Sequence, residues 1–418
     1  MNSSETPETI ELKIDSLAYG GEGVARSEGK VYFVNGALPG EKVRAEIVQD
    51  KKNFARAEIV EILEPSKNRV EPPCDYYGHC GGCQLQHLAY EEQLVWKQKW
   101  LEELLSRIGN LKDITIDPVV ASPKPYAYRN RVGLTLAHAG GGKIRQGFLS
   151  GDDRGLVDID SCQIAMPGIN QAIDELSRKN KMKNMFGEFE GRLKLEIVTD
   201  GHNTFFLPWQ SLDEKSGRGT KPEEGKILHE KVGSLEFEFS PNVFFQVNSY
   251  LLPRLLDSVG ALLGDAKDAC LFDLFSGVGL FGMSLSDRVK KVVGLEENKL
   301  AHQFAIRNIK RNKIENMYVY TGRVESQFKK IFMKQKADKN IILVDPPRGG
   351  VEASLIENFK EFESEIDSII YLSCEPSILA RDLARFQEAG FLPERILPFD
   401  LFPQTQIFET VVKLKRKV

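Results

Sequence analysis

The chain has no apolar run approaching the ~20 residues that a bilayer-spanning helix needs. Its opening residues, MNSSETPETI, are polar and acidic, unlike a secretory leader. These absences point to a soluble, cytoplasmic protein with no membrane partner. Strong charge of either sign is also missing. A formal net charge of −4 over 418 residues argues against a histone-like polyanion binder, though it leaves room for a local basic surface. Cysteine is scarce: six thiols in a chain of this size are too few for a disulfide scaffold. Their uneven spacing says more than their number. Apolar residues, by contrast, make up 41% of the chain, ample for two or three domains with real cores.

Cys74, Cys80 and Cys83 stand close together in PCDYYGHCGGCQ, and Cys162 follows in DIDSCQIA. Three close cysteines plus a distant one resemble the ligand plan of a plant-type iron–sulfur protein, with a first spacing of five rather than four. Gly81 and Gly82 let the backbone turn tightly around such a group. Structural zinc is the rival, although it would favour two CxxC knuckles where only one is present. Unrelated thiols are the third reading. His79 and His87 read as bystanders.

Residues 10–63 read as short strands at Ile10–Ile14, Val31–Val34, Val43–Val48 and Ala57–Leu63, separated by glycine-rich turns. That pattern fits an OB-like β-barrel, a common nucleic-acid platform. Ala89 to Ile108 is an amphipathic helix in which Trp96 and Trp100, four apart, are expected to pack. Tyr128-Arg129-Asn130-Arg131 opens a strand, and arginines beside aromatics suit RNA. Residues 212–226 read as a polar loop.

From about residue 240 strands and helices alternate, which implies a doubly wound parallel sheet. The last two runs, Arg395–Phe399 and Ile407–Leu414, are too close for a crossover helix and are expected to form an antiparallel hairpin at one edge. The first strand ends in Asp273-Leu274-Phe275-Ser276-Gly277-Val278-Gly279. Gly277 and Gly279 allow close approach to a ligand, but the third glycine of the dinucleotide fingerprint is missing. Glu296 ends the second strand, where a ribose-binding carboxylate belongs. Asp345, before Pro346-Pro347-Arg348, ends the fourth. Cys374 sits between the strand Ile369–Leu372 and a helix that opens at Pro376. There the partial positive charge of a helix N-terminus favours a thiolate; a buried structural cysteine is the plainer reading.

These residues resemble the RNA uridine-5-methyltransferase family, which uses S-adenosylmethionine. The motifs carrying the resemblance are Phe244-Phe245-Gln246-Val247-Asn248, DLFSGVG, DPPRGG, SCEPSILARDL and FPQTQIFETV. Upstream, the barrel resembles a TRAM domain, and Cys74, Cys80, Cys83 and Cys162 match the family's 4Fe–4S pattern. The resemblance implies a TRAM-like OB barrel over 1–68, a central α+β iron–sulfur and RNA-binding domain over 69–239, and a Rossmann-like class I methyltransferase domain over 240–418. It implies Cys374 as nucleophile and Glu409 as base. Gln246, Phe275, Gly277, Gly279, Glu296 and Asp345 would hold the cofactor, and Arg129, Arg131 and Phe244 would touch RNA. A monomer is expected. Three positions depart from the family: Glu375 stands where Asn is usual, Ile407 where His is usual, and Arg323 where an acid or amide often faces the adenine.

The chemistry explains the residue types. Uracil C5 is too weak a nucleophile to attack a sulfonium methyl unaided. Thiolate addition at C6 activates it, and a carboxylate then removes the C5 proton from a base taken out of its stack. The expected target is ribosomal RNA, with transfer RNA the alternative. An RNA cytosine-5-methyltransferase is a runner-up, but it would usually carry Pro-Cys, and here the proline follows. A non-catalytic iron–sulfur RNA-binding protein would leave Cys374 idle.

Overall fold

The computed structural model describes residues 8–112, 114–139, 143–151, 155–177, 191–208 and 226–417. All but one residue of the loop expected over 212–226 lie outside them. Among the described residues no helix is long and apolar enough to cross a membrane.

The N-terminal unit is a six-stranded sheet whose fourth and sixth strands, Lys30–Asn35 and Phe54–Glu64, pair in parallel. Alternation builds its core. In Lys42–Asp50, Val43 and Ala45 point inward and meet Ala55 and Ala57 of the neighbouring strand. A glycine turn, Gly20 (φ +127°) and Gly21 (φ +89°), closes one end.

The middle unit is a five-stranded sheet, with the Pro167–Ser177 helix packed on its Arg192–Thr199 strand. The Tyr90–Arg107 helix belongs elsewhere in space. Trp96 and Trp100 are buried in the core of the C-terminal unit, and the helix lies against the Pro376–Glu388 helix. Leu17 and Leu38 of the barrel enter that same core.

The C-terminal unit carries a seven-stranded sheet. Its order is Met317–Thr321, Lys291–Glu296, Cys270–Leu274, Asn340–Val344, Ser368–Ser373, Glu409–Arg416, Phe391–Phe399. The first five strands run parallel, and Glu409–Arg416 runs antiparallel to both of its neighbours, Ser368–Ser373 and Phe391–Phe399. The central strands are buried at every position because helices cover both faces. A hairpin of Leu228–Val232 and Leu235–Phe239 sends Leu228, Val232, Phe237 and Phe239 into the core of this unit.

Candidate active site

Five strand ends of the C-terminal sheet converge on one crevice. At the first, Phe275 takes a left-handed backbone (φ +62°), followed by Gly277 (φ +55°) and Gly279 (φ +89°). Strain at a non-glycine residue of this kind marks a loop shaped for more than connection. The Gly277 N–H donates to Glu296 Oε2 at 2.8 Å, and the Asn298 N–H donates to Glu296 Oε1 at 2.7 Å. Two loops are thereby fixed by one carboxylate. Beneath them Asp273 accepts from the Gly282 N–H at 2.9 Å. A side chain at 282 would strike Met317 and Asp273, so the helix that follows must begin with a bare backbone there.

Asp345 ends the Asn340–Val344 strand and accepts from Gln246 Nε2 at 3.4 Å. Burial pushes its carboxyl up to about 7. Cys374 follows the Ser368–Ser373 strand, with Glu375 at the N-cap position of the next helix and Pro376 in its first turn. Ser373 pairs with Thr410 in the antiparallel register, so Cys374 and Glu409 stand opposite one another. Glu409 is buried, and its Oε1 has no hydrogen-bond partner among the described residues. Burial, and then the charge of Asp345, hold Glu409 well above the usual carboxylate range.

Cys374 itself runs against the helix-terminus expectation. Burial first, then the charges of Glu409 and Asp345, push its thiol up to about 12, and Arg348 works in the opposite direction. These surroundings favour the neutral thiol, and positive charge near it works toward the thiolate.

The four remaining candidate thiols share a second place. Cys74, Cys80, Cys83 and Cys162 line one cavity of about 570 Å³ together with Arg129, Arg348 and Thr405–Ile407. The Gly82 N–H donates to Cys80 Sγ at 3.4 Å. A Cβ on Gly81 would lie 3.0 Å from the Ser150 carbonyl, so the loop passes too close for a larger residue. Burial raises Cys83 to about 12, and the charges of Cys162, Cys80 and Cys74 add to the shift. Such mutual repulsion is what a bound cation relieves. Among the described residues no three His, Cys, Asp or Glu side chains gather closely enough for a single metal ion. What the four positions share is the cavity that they line. His87 is buried and pairs with the Tyr77 hydroxyl, away from the thiols' role.

The residues expected to touch RNA divide. Phe244 is 63% exposed, while its neighbour Phe245 is buried and stacked on Phe239 at 4.6 Å. Arg129 lines the cysteine cavity, and its Nε donates to the Arg131 carbonyl at 2.9 Å. Arg131 has partners within the protein. Its guanidinium pairs with Glu196 at 2.6 Å and donates to the Pro241 and Val243 carbonyls. Through Nη2 the guanidinium ties the Arg131–Ala139 strand to residues 241–243.

Several contributors were not foreseen. Tyr19 of the barrel reaches Glu375, Lys97 reaches the loop before Glu409, and Arg348 faces Cys374. Arg323 pairs with Glu325 and Glu352 at the starts of two neighbouring helices.

Sheet order, edge hairpin and strand-end crevice define a class I methyltransferase lobe. The tRNA (uracil-5-)-methyltransferase family model matches residues 226–417, and the TRAM domain model matches residues 4–60. An uncharacterized RNA methyltransferase of Clostridium acetobutylicum is 31% identical, with 97% of this chain and 96% of that protein aligned. A second, from Clostridium tetani, is 31% identical over 97% and 95%. Among solved structures, the Pyrococcus abyssi tRNA (uracil-54, C5)-methyltransferase in complex with S-adenosyl-L-homocysteine superposes with a TM-score of 0.71. The two are 25% identical, covering 97% of this chain and 100% of that one. The chain belongs to the RNA (uracil-5-)-methyltransferase family of S-adenosylmethionine-dependent enzymes.

Proposed function

We propose that the protein methylates C5 of one uridine in RNA through a covalent adduct on Cys374, with Glu409 as the base. The observation that carries this reading is the register that sets Cys374 opposite a buried Glu409, whose Oε1 has no hydrogen-bond partner among the described residues. Gln246, Phe275, Gly277, Gly279, Glu296 and Asp345 line the cofactor crevice. The backbone of the Phe275–Gly279 loop leaves room for the ligand, and Glu296 is placed for ribose hydroxyls. S-adenosylmethionine, when bound, supplies the methyl group and a sulfonium charge.

The chain's residues then act in order. With positive charge in the crevice Cys374 releases its proton to solvent, and its thiolate adds to C6. The C5=C6 electron pair moves to the ring as an enolate, and C5 takes the methyl. Glu409 removes the C5 proton, the C5=C6 bond re-forms, and the thiolate leaves C6. Phe244, exposed beside the crevice, offers a face for the unstacked base.

Cys74, Cys80, Cys83 and Cys162 would hold a 4Fe–4S cluster. Uracil methylation moves no electrons between protein and substrate, so the cluster's contribution is to fix the loops that carry it.

Ribosomal RNA is the proposed target, with transfer RNA a second reading that one observation favours. The Pyrococcus abyssi enzyme, which acts on a tRNA uridine, aligns with this chain from barrel to edge hairpin. The barrel therefore does not by itself select ribosomal RNA. Mapping 5-methyluridine in RNA from cells with and without the gene decides between them. The adduct is tested with 5-fluorouridine RNA, in which fluorine cannot leave as a proton does. Wild type accumulates a denaturation-resistant complex and Cys374→Ala does not; a full-strength complex in the mutant would sink the nucleophile assignment.

A further inference from the structure

We propose that Lys97 is a positioning residue for the base, a buried ammonium that clasps the loop leading into Glu409. This rests on the reading of Glu409 as base.

Lys97 lies in the middle of the Tyr90–Arg107 helix and has no exposed surface. Its Nζ donates to Asp400 Oδ1 at 2.5 Å, to the Phe402 carbonyl at 3.2 Å and to the Ile407 carbonyl at 3.2 Å. All three donors of the ammonium are thus used. The acceptors mark the beginning, the middle and the end of one turn of chain, and Glu409 follows two residues after the last. One turn earlier on the same helix face, Gln93 does similar work. Its Oε1 accepts from the Gln404 N–H at 3.1 Å, and its Nε2 donates to Gln404 Oε1 at 3.0 Å. Gln404 needs holding, because its backbone is left-handed at φ +69°. Its carbonyl accepts from the N–H groups of Gln84 and Leu85.

Stability is a weak explanation for such a pair. A buried ion pair is often no better than apolar residues of the same volume, and this helix already buries Trp96, Trp100, Leu101 and Leu105. What an apolar substitute cannot do is accept the geometry of two carbonyls and a carboxylate at once. Glu409 Oε1 has no hydrogen-bond partner among the described residues. A base left free for the substrate proton must take its position from the backbone, and here that backbone is held from the helix.

The clasp therefore acts on one step. Cys374 sits on the neighbouring strand end, outside the clasped loop. Thiolate addition and methyl transfer to C5 proceed when the loop is loosened. The step that slows is transfer of the C5 proton to Glu409, with re-formation of C5=C6 and departure of the thiolate. The methylated protein–RNA adduct then accumulates.

The experiment follows methyl-labelled S-adenosylmethionine with RNA isolated from cells lacking the gene, resolving label on protein-bound RNA from label on free RNA. The variants are Lys97→Met with Asp400→Asn, which leaves no buried charge unpaired, and Gln404→Ala, which keeps the ion pair. Amounts are normalised to protein that binds S-adenosylmethionine, so misfolded material drops out. In the double variant, release of methylated RNA falls roughly a hundredfold, as expected for a misplaced catalytic group. Label on the adduct still appears at close to the wild-type rate. Gln404→Ala shows the same imbalance in smaller measure. Glu409→Gln is run alongside. If it accumulates adduct while the clasp variants turn over normally, or lose both steps in parallel, the clasp is overturned and Glu409 stands. If Glu409→Gln turns over normally, the base assignment fails and the clasp falls with it.

Discussion

The Tyr19 hydroxyl, on the glycine turn of the barrel, donates to Glu375 Oε1 at 3.1 Å across 356 positions of sequence. Glu375 directly follows the candidate nucleophile, and Ser377 Oγ donates to the same oxygen at 3.0 Å. Tyr19 is braced in turn by an edge-on contact with Trp100, ring centroids 5.7 Å apart, and Trp100 Nε1 donates to the Leu17 carbonyl at 2.7 Å. The barrel is therefore joined to the catalytic turn itself. This gives Glu375, a departure from the family's usual Asn, a partner of its own.

Tyr19→Phe keeps the ring packing and removes only the hydroxyl. A hydrogen bond to a carboxylate that is partly buried is worth about 1.5 kcal/mol or more, so thermal unfolding should shift down by a few degrees. Adduct formation on 5-fluorouridine RNA should slow because Glu375 is released beside Cys374. Unchanged adduct kinetics would confine Tyr19 to domain docking.

The buried carboxylates make stability depend on pH. Burial raises Asp273 and Asp345 to about 7, against about 3.9 for an aspartate in an unfolded chain. Between those values the folded chain keeps protons that the unfolded chain has lost, so stability falls as pH rises. His87, which burial lowers to about 4, acts in the opposite direction, but above its unfolded value of about 6.5 little of its effect remains, less than the two aspartates lose. Carboxylates held low, such as Glu41 and Asp200, titrate below this range. The cofactor-free protein should therefore melt at a lower temperature at pH 8 than at pH 6.5, and Asp345→Asn should flatten that slope. A melting temperature that rises across this interval would contradict it.

Most of the C-terminal sheet was legible because its signal is local. Buried parallel strands read as short apolar runs, and Asn340–Val344 and the edge hairpin fall where the pattern places them. Cys374, Glu296 and Asp345 were legible by the same logic, since each ends a strand. Lys97 was not. A lysine inside an amphipathic helix reads as a solvated face, and only its partners some 300 positions away make it buried. The partners of Tyr19 and Arg131 were not legible either. Their roles depend on which distant carbonyl or carboxylate meets them, and no periodicity encodes that.

Arg131 and Phe244 should separate cleanly by experiment. Arg131→Met leaves Glu196 largely buried without its partner, which costs about 3 kcal/mol and frees the contacts to residues 241–243. Calorimetry should show that loss, while RNA affinity per folded molecule stays unchanged. Phe244→Ala removes an exposed ring and should leave the melting temperature alone. It should weaken RNA binding by about 1–3 kcal/mol, the worth of one base stacked on an aromatic. An Arg131→Met protein that is stable but binds RNA poorly would restore the guanidinium to the RNA surface.

The cysteine nest joins the catalytic loop through backbone. Gln84 and Leu85, next to Cys83, donate N–H groups to the Gln404 carbonyl at 3.0 Å, and the Gln406 N–H donates to Gln84 Oε1 at 3.3 Å. A cluster held by these cysteines would fix residues 80–85 and, through them, support the turn before Glu409. Protein purified without oxygen should be brown and contain about four irons per chain; colourless, zinc-loaded protein would refute the cluster. Cys83→Ser should lose iron, melt at a lower temperature and show faster hydrogen exchange at the Gln84 and Leu85 amides. If the cluster only braces the fold, reducing it in intact protein should leave the methylation rate unchanged. A rate that follows the oxidation state would show that the nest acts on the chemistry through charge rather than through the loop it holds.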